Sequence, residues 1–278
     1  MERYLKVIDL LAKLREEKPL VHHITNYVTV NDCANITLAI GASPVMADDI
    51  NEVEEMVSMA SSLVLNIGTL NERTIHSMLA AGKKANDLNI PIVLDPVGVG
   101  ATSYRTGTAK RLIKELNISV IKGNISEIST LYGMDARTKG VDAEESGDVS
   151  ENDIQSKIEI AKKLASNLNC VIAITGAIDI ITDGIKVYTV ENGDVIMSRI
   201  TGTGCMCASL IGSFCAVSSN ALEGALAGVL SMGIVGEIAK EKIGISHKGT
   251  GSLKVEIMDG IYNLNKDIIT KRGKVYEK

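Results

Sequence analysis

The sequence predicts an α/β fold: a mainly parallel sheet with helices on both faces. Three observations carry this reading. Short strands that are apolar throughout alternate with amphipathic helices, the pattern of a sheet buried on both sides. Hydrophobic residues make up 45% of the 278 residues and charged ones 23%, enough for a sizeable core. Aromatics are only 3%, with no Trp and one Phe, so Ile, Val, Leu, Ala and Met must pack that core.

Taken in order, residues 3–15 place Leu5, Ile8, Leu11 and Leu14 near a helical period, and Pro19 ends that helix. Leu20 to Ile24 reads as a strand. Alternation puts His22 and His23 on opposite faces, so they do not chelate one metal as a pair; both read as packed or hydrogen-bonded histidines. Thr25 and Asn26 follow the strand, where open sheets place ligand contacts, although a helix cap explains them equally well. A helical pattern runs over 33–40, Gly41 closes it, and 43–46 is extended. Helix 49–61, strand 63–67, helix 71–88, strand 92–95, helix 105–116 and strand 119–122 continue the rhythm.

Residues 134–152 are polar and acidic and read as a surface excursion, because the βα rhythm then resumes and leaves one domain over 1–278. Helix 153–167 and strand 170–175 follow. Segments 178–182, 185–190 and 195–200 read as antiparallel strands joined by Asp183-Gly184 and Asn192-Gly193 turns. Helices 204–217, 220–241 and 251–265 complete the pattern. Ala221, Gly224, Ala225, Ala227, Gly228 and Gly233 mark helix 220–241 as an interior helix.

Composition excludes several classes. A net charge of −5 and scarce aromatics argue against nucleic acid as a partner. No apolar run is read as reaching transmembrane length, and the charged start at Glu2, Arg3 and Lys6 is not a signal-peptide core, so a cytoplasmic protein is expected. Five scattered cysteines do not suggest a disulfide framework, and Cys205-x-Cys207 lacks the second pair a zinc site needs.

The chemistry gathers at strand ends. Asn26, Asn66 with Gly68, Asp95, Lys122 with Asn124, Thr175, and Thr201 to Cys205 all fall at carboxyl ends, which share one sheet edge. Gly202 and Gly204 permit a tight turn into an apolar helix whose first amides and dipole suit a phosphate. Cys205 sits in the first turn, where the dipole favours a thiolate, although a cysteine on an apolar helix is also simply a small hydrophobe. Asp95 and Glu127 have the chemistry to hold Mg²⁺ mostly through water, facing the Gly202–Cys205 turn, as phosphoryl transfer requires. The chain lacks the Gly-x-x-x-x-Gly-Lys-Ser/Thr of a P-loop; residues 244–251 come nearest without its Lys-Ser/Thr ending.

These residues fall in pieces that run nearly the whole chain: Pro19-Leu-Val-His-His-Ile-Thr-Asn-Tyr-Val-Thr29, Asn31-Asp-Cys-Ala-Asn35 and Gly41-Ala-Ser-Pro-Val-Met-Ala-Asp48. Asn66-Ile-Gly-Thr69, Val93-Leu-Asp-Pro-Val-Gly-Val-Gly-Ala-Thr102 and Lys122-Gly-Asn-Ile-Ser-Glu127 follow. Thr175-Gly176 and Thr201-Gly-Thr-Gly-Cys205 complete the set. In these pieces the chain resembles the hydroxyethylthiazole kinases of the ribokinase-like superfamily. The resemblance implies a three-layer α/β/α sandwich without a separate lid. It also implies ATP-dependent phosphorylation of the primary alcohol of 4-methyl-5-(2-hydroxyethyl)thiazole in thiamine biosynthesis.

Position by position, it implies that Met46, Asn26, Val28, Gly68 and Gly202 contact the thiazole alcohol and that Lys122, Thr175 and Asn124 serve ATP. Asp95 and Glu127 would organise Mg²⁺. Gly202, Thr203 and Gly204 would form the anion hole with Cys205, which would orient the hydroxyl and take its proton late. Cys205 distinguishes this family from sugar and hydroxymethylpyrimidine kinases, which usually carry Asp or another residue there. Family members are homotrimers with sites between subunits, so residues 24–46 would also serve a neighbouring site. A non-catalytic thiazole- or nucleotide-binding protein is the alternative from another class; intact Asp95, Glu127, Lys122 and Gly202–Cys205 argue against it.

Overall fold

The computed structural model describes residues 2–133 and 151–278, so nearly all of the expected 134–152 excursion lies outside the described residues. The first half comprises α1 (Glu2–Glu17), β1 (Leu20–Ile24), α2 (Val30–Ile40), β2 (Ser43–Val45), α3 (Val53–Met59), β3 (Ser62–Asn66) and α4 (Glu72–Asp87). Next come β4 (Ile92–Asp95), α5 (Ser103–Glu115), β5 (Val120–Asn124), α6 (Ile125–Tyr132), α7 (Glu151–Leu168) and β6 (Val171–Thr175). β7 (Asp179–Thr182), β8 (Val187–Val190) and a 3-10 turn (Val195–Arg199) lead to α8 (Thr203–Cys215) and α9 (Ala221–Ile245). α10 (Thr250–Asn263), α11 (Lys266–Arg272) and β9 (Val275–Glu277) end the chain.

Among the described residues the strands form one nine-stranded sheet in the order β2-β1-β3-β4-β5-β6-β7-β8-β9. All pairings from β2 through β6 are parallel, and those from β6 through β9 are antiparallel. The expected mainly parallel α/β architecture is present. The order reverses between β1 and β3, the switch point at which the crevice of such sheets opens.

Strand alternation divides the core in two. Val21, Val64, Val93, Val120 and Val171 face α1, α2, α8, α9 and α10, whereas Leu63, Leu65, Ile92, Leu94, Ile121 and Ile172 face α3 to α7. Small valines lie on the face where helices come closest. A Cβ on Gly212 would stand 2.4 Å from Val64 Cγ2, and one on Gly228 would stand 2.6 Å from the Ile211 nitrogen. Glycine therefore lets α8 press onto β3 and α9 press onto α8, carrying the start of α8 to the sheet edge.

α9 is the interior helix its small residues predict. Among the described residues it is the one helix long and apolar enough to cross a membrane, which corrects the reading that no run has that length. In that window, 78% is buried in the protein, so its apolar character serves the core.

A second correction concerns 195–200. These residues form a 3-10 turn, not a third antiparallel strand, with Asp194 Oδ1 accepting the Ile196 N–H at 3.0 Å. β9 takes the place beside β8 instead, in the register Val190 with Val275. Asn192 secures this choice: its Oδ1 accepts the Lys274 N–H at 2.7 Å and its Nδ2 donates to Arg272 O at 2.8 Å. The Asp183-Gly184 hairpin forms as expected, with Gly184 at φ 92° and Asp183 Oδ1 accepting from Ile185 N and Lys186 N.

Candidate active site

β3, β4 and β5 end side by side, and the register pairs Asn66 with Asp95. Their polar ends form one chain of hydrogen bonds. Asn26 Nδ2 donates to Asn66 Oδ1 at 2.9 Å, and Asn66 Nδ2 donates to Asp95 Oδ2 at 2.7 Å. Lys122 Nζ then reaches Asp95 Oδ1 at 3.3 Å. Asn26, Asn66, Asp95 and Lys122 are all buried.

The start of α8 closes over this row. Gly202 caps the helix at φ 96°, a conformation suited to glycine, and a Cβ there would stand 2.7 Å from Thr29 Cγ2. First-turn N–H groups have no carbonyl partners within a helix, so the Thr203, Gly204 and Cys205 amides are free to donate to a ligand. A Cβ on Gly204 would lie 3.0 Å from Lys122 Nζ, so the ammonium stands against this turn. Cys205 Sγ accepts from both Asn26 Nδ2 and Asn66 Nδ2 at 3.3 Å.

The electrostatics follow from burial. Burial pushes the Asp95 carboxyl above its ordinary range, with Lys122 pulling against that and Glu127 adding to it. Burial alone would depress Lys122, but Asp95 beside it holds the ammonium charged, above its ordinary value. Glu127 is fastened by two backbone groups: Oε1 accepts from Gly98 N and Oε2 from Asn124 N, each at 2.8 Å. Asn124 Oδ1 accepts from Glu127 N at 2.8 Å, completing a capping box at the start of α6.

Asp95 and Glu127 fit a hydrated divalent cation. Both carboxylates lie in the field of the Lys122 ammonium, and each bonded oxygen keeps a lone pair for water. Among the described residues no group of three or more His, Cys, Asp or Glu is placed to cage a metal.

Thr175 ends β6, half-buried, with Oγ1 donating to Gly123 O at 3.5 Å. Gly68 packs on Asn26, 3.0 Å separating a Cβ there from the Asn26 side chain. Met46 is half-buried just past β2, and Val28 is exposed; both stand outside the hydrogen-bonded row. His22 Nε2 is 2.7 Å from Ala47 O and His23 Nδ1 is 3.1 Å from Val21 O. Burial lowers both histidines, His23 to about 4, so both are packed neutral residues, as expected.

Sequence reasoning missed three contributors. Arg105 donates to the carbonyls of Ile67, Val97 and Gly68, each at 2.8 Å, and ties the loops after β3 and β4 together. Asp179, buried at the start of β7, accepts the Gly176 N–H at 2.9 Å; a carboxylate opening an apolar strand was the available signal. Asp32, on α2 beside Gly202, pairs with Lys254 of α10 at 2.6 Å.

The family model of the hydroxyethylthiazole kinase family matches residues 11–267. The chain belongs to the hydroxyethylthiazole kinase family. A hydroxyethylthiazole kinase of Clostridium tetani is 58% identical over 276 residues, covering 99% of both chains. The solved structure of a hydroxyethylthiazole kinase from Pyrococcus horikoshii OT3 superposes with a TM-score of 0.88 at 39% identity, over 98% of each chain. A Bacillus subtilis pyridoxal kinase solved with ADP shares the fold alone, at TM-score 0.55 and 17% identity over 78% of this chain and 91% of that one. The ribokinase-like fold and the kinase class expected from sequence agree with these relatives.

Proposed function

We propose that this chain transfers the γ-phosphoryl group of ATP to the primary alcohol of 4-methyl-5-(2-hydroxyethyl)thiazole, a step of thiamine biosynthesis. The observation that carries the reading is the meeting of Cys205, the α8 amides, Lys122 and Asp95 at one sheet edge. In the reaction the alcohol oxygen bonds to the γ-phosphorus as the bond to the bridging oxygen of ADP breaks. The amides of Thr203, Gly204 and Cys205 receive the moving phosphoryl oxygens, and Lys122 balances their charge. Cys205 aligns the hydroxyl and, as the thiolate, takes its proton late to become the thiol, because a loose transition state asks little early proton transfer.

When bound, Mg²⁺ supplies charge neutralisation at the phosphates, and Asp95 and Glu127 are the residues that would hold it through water. Met46, Asn26, Val28, Gly68 and Gly202 bind the thiazole; Lys122, Thr175 and Asn124 bind ATP. Five unpaired cysteines support a reducing, cytoplasmic setting.

The test is direct measurement of phosphorylated product with ATP and Mg²⁺. The thiazole alcohol, hydroxymethylpyrimidine and ribose are offered separately, and turnover is expected with the first. Product from another acceptor and none from the thiazole alcohol rejects the assignment.

The protein is further read as a homotrimer in which residues 24–46 contribute to a neighbouring subunit's site. Exposure of Tyr27 at 79%, Val28 at 55% and Leu38 at 57% supports this, since apolar side chains in that segment lack cover within the chain. Sedimentation at assay concentration is expected to give a trimer mass; a monomer mass rejects this part alone.

A further inference from the structure

Asn66 ends β3 at the centre of the row, 2% exposed, and its carboxamide orientation is determined by its partners. Oδ1 accepts the backbone N–H of Gly68 at 2.9 Å, and a backbone amide can only donate. Nδ2 is therefore the end that faces Asp95 Oδ2 and Cys205 Sγ. Asn26 is set the same way, because its Oδ1 accepts the Thr29 N–H at 3.1 Å and its Nδ2 meets Asn66 Oδ1 and Cys205 Sγ. Two amide groups thus reach one sulphur, and both donate to it.

We infer that Asn66 is a positioning residue for phosphoryl transfer, its single amide holding the Asp95 carboxylate and, jointly with Asn26, the Cys205 sulphur in one fixed arrangement. The inference rests on the kinase reading above. Both donor contacts of Asn66 Nδ2 go to side chains on other elements, β4 and α8, that the reading places in the chemistry. Strand pairing at this position uses the backbone, so a strand-end role alone would not require that amide. An apolar residue of the same branching removes both donations at once, together with the Oδ1 acceptor of Gly68 N and Asn26 Nδ2. It leaves the Thr203-Gly204-Cys205 amides and the residues proposed to hold ATP in place.

The test is a double-variant cycle of Asn66→Leu and Cys205→Ala, with kcat and KM measured for both substrates. Asn66→Leu is expected to lower kcat about 10- to 100-fold, the usual range for residues that orient catalytic groups, with KM changing less than about threefold. With Cys205→Ala already present, the further loss is expected to shrink but not to vanish, because the sulphur that Asn66 sets is gone while Asp95 Oδ2 still loses its donor. Unchanged kcat, a loss carried by KM, or losses that multiply in the double variant overturn the inference. Thermal unfolding identifies a variant that fails to fold, in which case Asn66→Ala, which removes the same donor without added bulk, takes its place. Wild-type turnover is the separate check on the acceptor: if another alcohol turns over instead, the acceptor assignment fails and the same cycle is run on that substrate.

Discussion

Asp95→Ala is expected to lower kcat by about 10²–10³-fold, the scale of losing a preorganised charge at a reacting phosphate. The same change is expected to destabilise the fold by about 3 kcal/mol, the low end of the cost of removing one partner from a buried ion pair. The low end applies because Lys122, 5% exposed and 3.3 Å from Asp95, keeps Glu127 and Asp179 within its field. Asn66 Nδ2 also loses its 2.7 Å acceptor. Equilibrium denaturation measures the stability loss, and single-turnover kinetics with the thiazole alcohol separate the catalytic loss from it. A variant as stable and as active as wild type removes Asp95 from both roles.

Asp179→Asn is expected to act in the opposite direction on stability. Burial pushes the Asp179 carboxyl from 3.8 to about 7, with the Gly176 N–H and then Lys122 opposing that rise. A carboxyl whose pKa is higher folded than unfolded makes the native state bind more protons, so stability falls as pH rises between the two values. At about 1.4 kcal/mol per pH unit, this places a loss of up to about 4 kcal/mol between pH 4 and 7, level above that. Asparagine retains an oxygen to accept the Gly176 N–H and carries no charge to desolvate. The variant is expected to match wild type near pH 4, to exceed it by a few kcal/mol at pH 8, and to flatten the slope between. Denaturation series at several pH values measure this, and parallel curves for the two proteins would sink it.

The two predictions concern residues of unequal legibility. Asp95 was readable because it closes an apolar strand, where a carboxylate has few reasons to be other than functional. Asp179 opens a strand just past Thr175-Gly176, but its burial beside Lys122 comes from the β6–β7 pairing, which local spacing does not report. Asn66 was readable as a strand-end polar group but not as a bridge. Its partner Cys205 lies 139 residues away, and that of Asn26 lies 179 residues away. The 195–200 segment failed for a different reason. Its alternation suits a strand, yet β8 has one open edge and the chain's last residues occupy it, held by Asn192.

The strand and helix rhythm and the polar residues at strand ends are written in the local sequence. These are local properties, set by side-chain period and by the conformations glycine permits at positions such as Gly202. Folding settles which ends meet, which strand fills the β8 edge, and how α8 reaches Asn26 and Asn66. Those outcomes depend on close helix approach at Gly212 and Gly228 and on hydrogen bonds between residues far apart in the chain. The anion turn is thus written in five consecutive residues, Thr201 to Cys205, while the amides that hold its thiol come from β1 and β3 ends brought together by folding.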